Sequence, residues 1–100
     1  MAKVRMIFDK TEMIVSYKDG NTYTTMNLKY SDIINIKIDK CIEGKLFFKK
    51  DSERIDITTR KREQPFTYFK LAESPYFDGY KKDLEDFANH NRITFYNYTK

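Results

Sequence analysis

Between residues 3 and 72, apolar and polar side chains alternate in short runs, the period of a strand with one face buried. Val4, Met6 and Phe8 share one face of the first run, and Met13, Val15 and Tyr17 form the inward set of the second. The intervening Asp9-Lys10-Thr11 is long enough only for a hairpin. Asp19-Gly20 is a turn signal, because glycine tolerates the positive φ that tight hairpin turns require, and Asn21 to Leu28 is the returning strand. Tyr30-Ser31-Asp32 makes a polar corner. Beyond it Ile34, Ile36 and Ile38 face one way and Asn35, Lys37 and Asp39 the other. Glu43-Gly44 is expected to turn the chain into a fifth strand, Lys45 to Lys49. Lys50-Asp51-Ser52 is expected to turn it again into Glu53 to Thr59. Phe66 to Leu71 completes seven strands at spacings near ten residues, which indicates a sandwich or barrel.

The period then changes. Phe77, Tyr80, Leu84, Phe87 and Ala88 recur every three or four residues, and Lys81, Lys82, Asp83, Glu85 and Asp86 occupy the opposite side, which predicts an amphipathic helix over about 75–90. Ser74-Pro75 supplies an N-cap followed by proline at the first helical position, where its missing N–H costs nothing. Asn89-His90-Asn91 is the expected stop. A short extension, 92–98, follows, in which Ile93 to Tyr96 can add a strand. No repeat or linker interrupts the chain, so one domain over 1–100 is expected, mainly β with a single C-terminal helix sealing it (α+β).

Seven short antiparallel strands followed by one amphipathic helix resemble the element order of the pleckstrin-homology-like (PH-like) domains. Tyr30-Ser31-Asp32-Ile33-Ile34-Asn35-Ile36 looks like the aromatic-polar-Asp step and paired aliphatics of their bacterial branch. The resemblance covers about residues 3–90 and implies a seven-stranded, curved antiparallel barrel or sandwich capped by the helix. It implies fold more than function. The first hairpin loop, Asp9-Lys10-Thr11-Glu12, is short and half acidic, which offers no phosphate cradle. There is no Trp for the helix to pack, so Phe87 or Leu84 takes that role.

Composition narrows the class further. In 100 residues with 40% hydrophobic side chains, including eight Phe and eight Tyr, there is material for one core. No apolar run approaches the roughly 18 residues that cross a bilayer. Asp9, Lys10 and Glu12 break the N-terminal apolar stretch before it could serve as a signal-peptide core. Cys41 is the single cysteine, which rules out an internal disulfide and suits a reducing cytoplasm. The net charge of +4 is uneven: residues 1–62 carry 14 Lys/Arg against 9 Asp/Glu, so the β half is basic.

Catalytic chemistry is not evident. His90 stands alone in the last helical turn, Cys41 has a lysine beside it but no histidine nearby in sequence, and the three glycines are isolated, so neither a metal site, a cofactor nor a phosphate loop is indicated. Arg60, Lys61 and Arg62 form the densest basic cluster and, joined by Lys49, Lys50 and Arg54, are a candidate anion patch. As loop charges they are expected to add little stability. Lys45, Phe47 and Lys49, on the expected fifth strand opposite the helix, are a candidate peptide groove, because a free sheet edge accepts an added strand. Either Phe47 is exposed for contact or the extension Ile93–Tyr98 covers it, since an exposed apolar edge invites aggregation. The expected function is a non-catalytic binding or scaffolding module for a protein or peptide. The alternative is peripheral attachment to an anionic lipid headgroup or nucleic acid through the basic loop.

Overall fold

The computed structural model describes residues 3–100, so Met1 and Ala2 of the expected unit lie outside it. Strands β1 (Met6–Phe8), β2 (Glu12–Asp19) and β3 (Thr22–Lys29) form an antiparallel meander. A single 3-10 turn, Tyr30–Asp32, then carries the chain to a second sheet, with the Asp32 carboxylate accepting from the Lys29 N–H at 3.0 Å. That sheet has the order β6-β5-β4-β7, built from β4 (Ile33–Lys45), β5 (Phe48–Thr59), β6 (Phe66–Phe69) and β7 (Thr94–Asn97). Between β6 and β7 lie a one-turn helix α1 (Lys70–Glu73) and the long helix α2 (Phe77–Asn91). Among the described residues no ladder joins the two sheets edge to edge, so of the expected barrel or sandwich the closed barrel is not formed and the strands make two open sheets.

The buried side chains make one cluster that both sheets and α2 share. Met13, Val15 and Leu28 come from the first sheet, Ile36, Ile38, Ile55, Ile57 and Phe66 from the second, and Phe77, Tyr80, Leu84, Phe87 and Ala88 from the helix. The helical stripe therefore falls where its period placed it. Two tyrosines satisfy their hydroxyls at the margin of the core: Tyr80 Oη accepts from the Arg5 N–H at 2.7 Å, and Tyr68 Oη donates to the Ser16 carbonyl at 2.9 Å. Both bonds tie the later part of the chain to the first sheet. Burial pushes both phenols above their ordinary pKa.

Several local expectations are corrected. The segments expected as a fifth strand and a separate sixth are one long hairpin, with β4 running without a break through Glu43-Gly44 and β5 running through Lys50-Asp51-Ser52. The chain reverses instead at Leu46-Phe47, with Leu46 in the left-handed region at φ 49°. Gly44 remains necessary, since at φ 130° a Cβ there would collide with the Phe48 carbonyl. At the start of β4 a bulge between Ile33 and Asn35 shifts the alternation, so Ile33 is buried (5% exposed) and Ile34 is not (44%). Ser74-Pro75, joined by a cis peptide, precedes α2 without capping it: Tyr76 holds the N-cap position and the helix runs on to Asn91, where Arg92 takes the left-handed position.

The extension behaves differently as well. β7 pairs with β4 in parallel over Asn35 to Ile38, so the sheet is mixed rather than purely antiparallel. Among the described residues six strands precede α2 and the seventh follows it. β7 covers the β4 edge beside the core, at Asn35 to Ile38, and leaves Phe47 uncovered.

Candidate functional site

Third-strand support ends early along the central hairpin. β6 pairs with β5 only over Arg54 to Ile57, and β7 with β4 only over Asn35 to Ile38. Beyond them Asp39 to Lys45 and Phe48 to Glu53 run on as a two-stranded arm. Seven residues at about 3.3 Å each give it a reach of roughly 20 Å.

The arm is braced by α1 and α2 as far as Glu43, which leaves Gly44 to Lys50 as its free outer part. Glu43 accepts a hydrogen bond from the Ser52 hydroxyl and another, at 3.3 Å, from the Leu71 N–H of α1. Lys81 of α2 pairs with Glu53 at 2.6 Å. Lys40, Cys41, Ile42, Asp51, Ser52, Glu53 and Lys70 line an open cleft here. Its thiol is not activated: burial and then the Glu43 carboxylate push Cys41 above its ordinary pKa, which disfavours the thiolate.

The apex is free. Leu46, Phe47 and Phe48 are 83, 92 and 84% exposed, and Ile42 stands exposed lower on the same arm. Within residues 45–50 the three apolar side chains are accompanied by Lys45, Lys49 and Lys50 and by no acid. Among the described residues, none of these lysines makes an ion pair. Both neighbouring carboxylates lie below the tip, Glu43 drawn inward by Ser52 and Asp51 exposed at the ladder position opposite Ile42.

The six residues of the candidate anion patch are not brought together. Lys49 and Lys50 lie at the tip end of β5, and Arg60, Lys61 and Arg62 follow its other end, roughly 35 Å away at the strand's rise per residue. Arg54 lies between them, pairing through Nε and Nη2 with both oxygens of buried Asp56 at 3.0 Å. That carboxylate also accepts from the Thr67 hydroxyl at 2.6 Å.

Two members of the basic loop are engaged in structure. Arg62 sets its guanidinium 4.0 Å from the Phe66 ring centroid and 5.0 Å from that of Tyr17, while Nε and Nη2 donate to the Gln64 and Pro65 carbonyls. Arg60 donates through its backbone N–H to Asp32 and through Nε to Ser31, closing the corner between the sheets. Lys61 alone projects freely. Of the candidate peptide groove, Lys45, Phe47 and Lys49 sit together at the apex, at a convex tip rather than beside α2.

Strand alternation sets Leu46 and Phe48 on the face opposite Phe47, whereas the hairpin tip exposes all three. Three consecutive large apolar residues between lysines, next to a glycine, were the available signal. His90 is exposed at the far end of α2, and no group of three or more His, Cys, Asp or Glu with metal-holding placement occurs among the described residues. No described helix is long and apolar enough to cross a membrane. Set against protein-family models, curated proteins and solved structures, the chain matches none.

Proposed function

We propose that this chain is a non-catalytic binding module and that the arm of β4 and β5 is its contact element. The exposure of Leu46, Phe47 and Phe48 at the end of a projecting hairpin carries the reading. Each of these side chains gains by leaving water, and none is used by the protein's own core. A hairpin apex otherwise has no reason to hold three large apolar residues in place of the Gly, Asn and Asp that make turns. The core and the arm divide the work: both sheets and α2 fix the base, and the tip meets the partner. The PH-like resemblance is supported by the antiparallel meander and by the helix packed on the core. Parallel β7 and the count of six strands ahead of α2 weigh against it.

The test is site-specific crosslinking in cells. A benzophenone side chain in place of Phe47 is expected to give a discrete covalent adduct, and the same group in place of Tyr23, exposed on β3, is expected to give none. Equal labelling at the two positions, or none at Phe47, refutes the assignment of the arm.

A further inference from the structure

The arm reading leaves open what the tip enters, and the geometry of the tip narrows it. Resting on that reading, we propose that the apex is a bilayer-insertion element: Leu46, Phe47 and Phe48 enter the interfacial layer of an anionic membrane, and Lys45, Lys49 and Lys50 meet its phosphate-bearing headgroups.

Shape is the first argument. The apolar side chains cluster at the end of a two-residue turn, where Lys45 pairs with Phe48, so the hydrophobic surface is convex and narrow. A rigid partner must offer a matching pit to cover such a tip, whereas lipid deforms around it. The depth also fits. All three residues lie within one strand position of the turn, a span of about 3–4 Å along the arm, and interfacial elements bury their apolar faces only about 5–10 Å, to the headgroup and acyl boundary. Shallow entry keeps the turn's unpaired backbone groups within reach of water and headgroups, which hydrocarbon would deny them.

Charge is the second argument. Three lysines and no acid surround three apolar residues in the six positions from Lys45 to Lys50. Lysine suits this place because its long apolar stem lies along the acyl boundary while the ammonium returns to the phosphate layer. Each cation held near an anionic surface strengthens binding about fivefold, so three contribute on the order of a hundredfold. Of the two carboxylates behind the tip, Glu43 is turned inward onto Ser52 and the Leu71 N–H. Exposed Asp51 lies farther from the turn than all three lysines, where it offsets only part of their charge.

The experiment uses the whole chain and vesicles of phosphatidylcholine, alone or mixed with phosphatidylglycerol. Phe47→Trp supplies a reporter in a protein that has no tryptophan. With anionic vesicles its emission is expected to shift to the blue and to be quenched by lipids brominated on the acyl chain. Replacing Leu46 and Phe47 together by serine is expected to weaken sedimentation with the mixed vesicles at least tenfold. Lys45→Gln, Lys49→Gln and Lys50→Gln combined are expected to weaken it about a hundredfold. About 1 M salt, which shortens the screening length to some 3 Å, should release the parent. All these positions are exposed, so unchanged melting establishes that each variant is folded.

Equal vesicle binding by the double-serine variant, or an unshifted tryptophan on anionic vesicles, overturns the proposal. If vesicles fail to bind while the benzophenone at position 47 gives a protein adduct, the arm is a protein-docking element. The membrane inference then falls and the assignment of the arm stands.

Discussion

Replacing Arg62 by alanine is expected to destabilise the protein by about 2–3 kcal/mol, although the residue sits in a loop of apparently free charge. The magnitude follows from its contacts. The guanidinium lies over Phe66 at 4.0 Å and near Tyr17 at 5.0 Å, and these two rings are themselves packed edge to face at 5.0 Å. A half-buried cation over an aromatic ring contributes about 1 kcal/mol. Its two hydrogen bonds, 2.8 Å to the Gln64 carbonyl and 2.9 Å to that of Pro65, come from a charged donor, which places each near or somewhat above the usual net of about 1 kcal/mol. Water reaches one side of the group, so the sum is taken at its low end. In a domain of this size each kcal/mol moves the melting temperature by about 4–8 °C, and a drop of roughly 10–20 °C is expected by calorimetry or by far-ultraviolet circular dichroism. Arg62→Lys keeps the charge but neither the planar stacking nor the fork of donors, so it should lose most of the same stability. Lys61→Ala is the control and should lie within about 0.5 kcal/mol of the parent. An Arg62→Ala melting temperature within about 3 °C of the parent, or an Arg62→Lys variant as stable as the parent, would refute the stacking argument.

Phe87, buried in α2 with its ring 5.9 Å from that of Phe8, should cost about 3–5 kcal/mol when replaced by alanine, read from urea unfolding. Ending the chain after Asn91 removes β7, strips Ile93 and Phe95 from the core margin and frees the β4 edge from Asn35 to Ile38. Both lower melting and concentration-dependent association on size exclusion should follow. Glu73 is buried with one carboxylate oxygen lacking a partner, and burial raises its pKa while nearby Arg5 offsets this only in part. A folded-state pKa above the ordinary 4.5 favours the protonated form on folding, so this contribution is full below about that value and is lost as pH rises through the raised one. Glu73→Gln should therefore raise the melting temperature at neutral pH, with the gain vanishing as the pH falls through the carboxyl range. A gain that persisted in acid would mean that charge is not its origin.

The parts of the fold legible in the sequence are those where local chemistry and tertiary packing agree. Asp19-Gly20 turns where it should, with Gly20 at φ 66°, and the stripe from Phe77 to Ala88 buries as its period requires. At the central hairpin the two disagree. Glu43-Gly44 and Lys50-Asp51-Ser52 carry the residues of turns, and Leu46-Phe47 carries none of them. A ladder that continues from the buried pairs Ile36 with Ile57 and Ile38 with Ile55 outweighs a preference worth a fraction of a kcal/mol per residue. The same misplaced turns hid the candidate site, since a strand through Lys45 to Lys49 would alternate inward and outward, whereas a hairpin tip exposes every side chain. Parallel pairing of β7 with β4 depends on residues some sixty positions apart, and no short-range signal reports it.

The outer part of the arm, past the contacts of Glu43, divides the molecule into two grades of cooperativity. Amides flanked on both sides by other strands, such as those of Ile36 and Ile57, can exchange with solvent only when the sheet itself opens. Those from Gly44 to Lys50 can exchange when a few ladder bonds melt, with the core undisturbed. Deuterium should therefore enter the outer arm long before the central strands. The distal hairpin can open, close and accept substitutions at its tip while the remainder stays folded, so the apex sequence can vary at almost no thermodynamic penalty to the fold.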